Sequence, residues 1–132
     1  MNTLRRILYL TALIWGTAGI LLIAVPRFLL VTLFGQPEYE EYAWVRIGGI
    51  DAVALALLAV LVAHHVEQAW WWTWAFVLVA AGEALVATLN ALFGAPPGAG
   101  LWLWWLFAGG QWALAAGLVY GLARAGAEPP PV

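Results

Sequence analysis

Apolar stretches, each long enough to cross a bilayer, follow one another along this chain with only short connections between them. A spanning helix needs about 20 apolar residues, so four would use about 80. The chain has 132 residues, which leaves loops but no room for a soluble domain. Composition agrees, with 65% hydrophobic and 9% charged side chains against about 45–50% and about 25% in soluble domains. Disorder needs the opposite balance. The expected fold is all-α: one polytopic membrane domain over 1–132, a bundle of four transmembrane helices.

Helix breakers set the boundaries. The first span covers about 4–25. Arg5-Arg6 faintly resembles a twin-arginine export signal, but the apolar run exceeds the usual length of about 7–15 residues and lacks a good cleavage site. It reads as a retained helix. A straight helix continuing to Phe34 would be about 46 Å long against a core of about 30 Å. A break at Pro26 and a short interfacial helix over 27–35 resolve the excess. Gln36-Pro37-Glu38-Tyr39-Glu40-Glu41 reads as a loop in water. Further spans follow at about 43–65, 69–93 and 101–124. They are separated by a tight link at Val66-Glu67-Gln68 and a breaker-rich loop from Gly94 to Gly100. Glu128-Pro129-Pro130-Pro131 reads as a frayed tail.

An even number of spans puts both termini on one side. That side carries Arg5, Arg6 and Arg124 against Arg27 and Arg46 opposite, so the termini are expected in the cytoplasm. Tyr39, Tyr42, Trp44, Trp102 and Trp104 fall at the outer interface, and Tyr9, Trp70, Trp71, Trp72 and Tyr120 near the inner one. This is an interfacial aromatic belt. Consecutive helical residues point about 100° apart, which argues against a cage for a cation at Trp70–Trp72.

Composition also excludes chemistry. Without cysteine there is no disulfide, thiolate nucleophile or Cys-ligated cluster. Without lysine there is no Schiff base. A net charge of −2 argues against a nucleic-acid partner. The only histidines, His64 and His65, are neighbours on one helix, so they cannot hold a haem between two helices. His64 and Glu67 are spaced to share a metal, but two ligands make no site. No metal or cofactor is expected.

Polar residues within spans are the remaining signal, because each is costly in hydrocarbon and normally faces protein or a cavity. Arg46, Asp51, Glu83, Asn90 and Gln111 all fall in the outer half of the membrane. Asp51 borders the small-residue row Gly48, Ala52, Ala56. Glu83 and Asn90 share a face with Ala80 and Ala87, and Gln111 with Ala108 and Ala115. Small residues let helices approach, which points these polar groups inward. The five are expected to form an outward-opening pocket for a ligand or proton, or to lock helix packing through hydrogen bonds. On the fourth span, Gly109, Ala113, Gly117 and Gly121 make a smooth ridge nearly opposite Gln111. Such a ridge suits a two-fold homodimer, or packing within the chain on Ala12 and Gly16 of the first span.

The order helix, proline break, interfacial segment, loop, then Arg46-Ile47-Gly48-Gly49 opening the second span, resembles the small bacterial DoxX-like membrane proteins and their uncharacterised relatives. The resemblance implies a left-handed four-helix bundle in a bacterial inner membrane and no defined activity. Those relatives often carry a basic residue where this chain has Glu83. Three functions fit the sequence. The first is an accessory or subunit-type membrane protein, and the second a binder or carrier of a small, partly apolar ligand or proton. The third is an enzyme using Asp51 and Glu83, for which no nucleophile or metal motif speaks.

Overall fold

A computed structural model describes residues 1–95, 97–98 and 100–127. Four long helices carry the fold: α1 (Asn2–Ala24), α2 (Ala43–His64), α3 (Thr73–Leu89) and α4 (Leu101–Ala125). The helical stretches that contain them, the third running from Val66 to Gly94, are each long and apolar enough to span a membrane.

Proline ends the first span where the sequence places the break. Val25 leaves helical geometry at φ −134°, as steric conflict with a following proline ring requires. The chain resumes as one wide turn, Phe28–Leu33, closed by Phe34 N–H to the Leu29 carbonyl (3.1 Å) and Gln36 N–H to that of Leu30 (2.9 Å). This segment does more than lie in the interface. Phe34 packs edge-on against Trp104 of α4 at 5.1 Å, which fastens the segment to the bundle. Arg27 and Glu38 pair at 2.8 Å across the following loop.

The link between α2 and α3 is wound into two short turns. His65 and Ala69 leave helical dihedrals, with one α-turn at Val66–Ala69 and one tighter 3₁₀ turn at Trp70–Trp72. Trp71 and Trp72 stack on each other at 4.7 Å. The proposed tail Glu128-Pro129-Pro130-Pro131, and Pro96 and Ala99 of the last loop, lie outside the described residues.

In lipid, helices associate by close packing more than by hydrophobic burial, and α1 and α2 show how. They cross backbone to backbone at Gly19 and Gly49. A Cβ on Gly19 would lie 2.6 Å from the Gly49 carbonyl oxygen, and one on Gly49 would lie 2.7 Å from that of Gly19. Helix α1 also packs on α4, and α4 on α3, while α2 and α3 scarcely touch. The helices therefore stand in the order α2, α1, α4, α3 around a ring left open between α3 and α2. Trp15 (3% exposed) fills the centre, with Phe76 against it at 6.0 Å.

The smooth row on α4 divides in two. Gly121 is pressed on Leu4 and Ile7 of α1, where a Cβ would meet Leu4 Cδ1 at 3.0 Å, and Gly117 lies near Ile7. Its other half, Gly109 and Ala113, is exposed. Gly16 packs elsewhere, against Ala56 of α2.

Candidate functional site

The sequence-derived polar residues separate once the helices are in place. Gln111 is buried (4% exposed), and its side-chain oxygen accepts from Trp15 Nε1 at 3.4 Å. It ties α4 to α1 across the core. Asn90 folds back over the helix end, its Oδ1 in the space a Cβ on Gly94 would need, while its carbonyl accepts from Ala95 N–H at 2.7 Å. Arg46 is exposed near the start of α2, about 140° around the helix from Asp51.

Asp51 and Glu83 are different. Neither has a hydrogen bond or ion pair in the described structure. By helical spacing both fall in line with the walls of the open seam between α2 and α3. The base of that seam is a groove of about 510 Å³ lined by Leu55, Leu58, Leu61, Val62 and His65 on one side and Ala69, Trp72, Ala75 and Phe76 on the other. Asp51 lies four residues before Leu55 and seven before Leu58, so it continues the α2 wall. Glu83 lies seven after Phe76 and continues the α3 wall by the same spacing. Glu83 also borders a cavity of about 380 Å³ with Gly82, Val86, Ala87, Trp104 and Phe107. Gln111 lines a separate space between α1 and α4 with Ile14, Ala18 and Phe34. The groove thus opens laterally, between two helices.

The sequence reading missed Trp104 and Phe107. It assigned Trp104 to the outer aromatic belt, yet the side chain is partly buried, and its indole nitrogen is covered and has no hydrogen-bond partner. The available signal was the spacing Trp104, Phe107, Gln111, which puts all three on one face of α4. Trp112, by contrast, donates to Thr88 Oγ1 at 3.1 Å and braces α4 on α3.

The other polar cluster sits at the end that carries the termini. Arg5 pairs with Glu67, and its Nε donates to the Ala63 carbonyl at 3.1 Å. Tyr9 Oη meets His64 Nδ1 at 2.5 Å, while His65 Nδ1 turns to its own helix at the Leu61 carbonyl. These groups fasten α1 to the end of α2. Among the described residues no group of three or more His, Cys, Asp or Glu stands close enough to hold a metal.

Comparison with protein-family models, with curated proteins and with solved structures finds no match to this chain. The chemistry of the seam must therefore carry the functional argument alone. Glu83 sits about 15 Å along α3 from its start, deep in the span. Glu83→Gln keeps the size and the hydrogen-bonding oxygen, so the fold is expected to survive. Glu83→Lys puts an ammonium there, which costs about 2.5–3.5 kcal/mol at a helix centre, and is expected to lower the melting temperature in detergent and the inserted fraction. Equal tolerance of both variants would mean that residue 83 lies in water or headgroups.

Proposed function

We propose that this is a non-catalytic membrane protein that holds a small, partly apolar guest entering from the bilayer between α2 and α3. One observation carries the reading: among the described residues the helix ring is open on that side alone, over an apolar groove. Helical spacing continues its walls to Asp51 and Glu83, whose carboxyl groups have no partner there. Ligand sites are mostly apolar, with few polar groups that fix orientation, and this seam has that composition. The test is native mass spectrometry of the protein extracted in mild detergent. A bound small molecule that Asp51→Leu or Glu83→Leu removes supports guest binding, and a guest-free protein that binds no added amphiphile refutes it.

An accessory role as a subunit is the second reading. It is favoured by the exposed Asp51 on α2 and by Gly109 and Ala113, which leave half of the α4 row uncovered. Such smooth surfaces suit a second copy or another helix. A stoichiometric protein partner, or a homodimer lost on Gly109→Leu, is the result this reading expects.

The proposed setting is a bacterial inner membrane, with kinship to the DoxX-like proteins resting on the order of elements. Arg5, Arg6 and Arg124 support cytoplasmic termini. A reporter fused after Arg124 is then expected to be active in the cytoplasm, and one inserted at Gly98 to be active outside. The reverse pattern would invert the orientation.

A further inference from the structure

We infer that α2 is the contact surface for a second copy of this chain, with Arg46 of each copy paired to Asp51 of the other. This goes beyond guest binding, which does not depend on it, and uses a different face from the uncovered half of the α4 row. Asp51 raises the need for a partner. It lies about 12 Å along α2 from Ala43, within an apolar span, and it is exposed there without a hydrogen bond or ion pair. It also stands outside the lining of the groove. A carboxyl group facing hydrocarbon is costly, and ionisable residues within spans pair with one another or face a cavity. Arg46 is likewise exposed, and its guanidinium has no partner. The two cannot meet within one chain, being about 140° apart on the same helix.

A second copy brings them together. With Ile47 and Ile50 at positions a and d of a heptad, Ala54 and Leu61 fall at a and Leu57 at d. All five are exposed, and they form one stripe along the outer side of α2. Arg46 then stands at g and Asp51 at e, the positions that flank such a stripe and carry charge pairs between helices. In a parallel pair, g of one helix lies beside the e that follows five residues later in the other, and Arg46 and Asp51 have that spacing. Copies inserted in the same orientation are parallel, and a two-fold axis makes the pair twice. An apolar stripe alone suits lipid as well as protein. The reciprocal charges are what select this chain as its own partner. Ala54, midway along the stripe, lets the two backbones approach.

The experiment is disulfide cross-linking of the full chain in phosphatidylcholine vesicles at a low ratio of protein to lipid. The chain has no cysteine, so single-cysteine variants report one position each. Ile50→Cys and Leu57→Cys are expected to give covalent dimers on oxidation. Leu78→Cys on α3 and Ala113→Cys on α4, which are exposed as well, are expected to stay monomeric. In the Leu57→Cys chain, Arg46→Asp or Asp51→Arg should each lower cross-linking about tenfold, because either one breaks both interhelical pairs. The two reversals together should restore it. Where a reversal prevents insertion, the dependence on position in the unreversed chain still decides. No dimer at any position, equal cross-linking at all four, or dimers at Ala113 alone overturns the α2 surface. Dimers at Leu57 that inserted single reversals leave unchanged, or that an inserted double reversal fails to restore, overturn the ion pairs. Guest binding stands in each case.

Discussion

Gly49→Ala is expected to unfold much of the contact between α1 and α2, while Gly48→Ala, one residue earlier, leaves the protein as stable as before or slightly more so. The added atom is the same in both. At Gly49 it would stand 2.7 Å from the Gly19 carbonyl oxygen, 2.9 Å from Ile23 Cγ1 and 3.0 Å from Leu22 Cβ. Ile23 can rotate, but the carbonyl belongs to the α1 backbone, so relief requires the helices to part. Overpacking of this kind costs about 1–3 kcal/mol, and more where backbone must move. At Gly48 a Cβ meets nothing within 4 Å, and replacing a helical glycine with alanine gains about 0.5–1 kcal/mol. Thermal unfolding in detergent reads the difference. If the two variants melt together, the helices do not cross at Gly19 and Gly49.

That contrast also shows what the sequence could and could not say. Hydropathy and Pro26 fix the spans and the break, because both act through local chemistry. Periodicity marks which residues share a face, but not which neighbour that face meets. Gly48, Ala52 and Ala56 read as the packing row of α2; Ala56 does pack on Gly16, but Gly48 is exposed and the backbones meet at Gly49, about 100° around the helix. Gly121 suited either a second copy or the first helix, and it rests on the first helix, at Leu4 and Ile7 rather than at Ala12 and Gly16. Gln111 was expected to point inward or to lock packing, and it is buried as a core tie to Trp15. Asp51 was expected inward beside its small neighbours, yet it is exposed, because small residues mark a face without saying which neighbour it meets. Trp104 was hidden for a further reason. Tryptophan near a helix start is ordinary at a membrane interface, and only the docking of Phe34 turns this one inward.

The docking of Phe34 depends on Gly100, which makes Gly100→Ala the second large effect. Gly100 has φ +99°, a conformation that costs other residues about 1–3 kcal/mol. It is also walled in: a Cβ would lie 2.5 Å from the Phe34 carbonyl carbon, 2.7 Å from its oxygen and 2.8 Å from the Leu33 oxygen. Gly98 separates these contributions. Its φ is +138°, but nothing stands within 4 Å of the same position, so Gly98→Ala carries strain without overlap. Gly100→Ala is therefore expected to melt well below Gly98→Ala, by about a further 1–3 kcal/mol. The added methyl pushes the Phe28–Leu33 turn away from the start of α4. Phe34 then leaves Trp104, whose ring it holds at 5.1 Å and 75°, and the wall of the Glu83 cavity loses its support. Equal melting of the two would mean that Gly100 is not seated on Phe34.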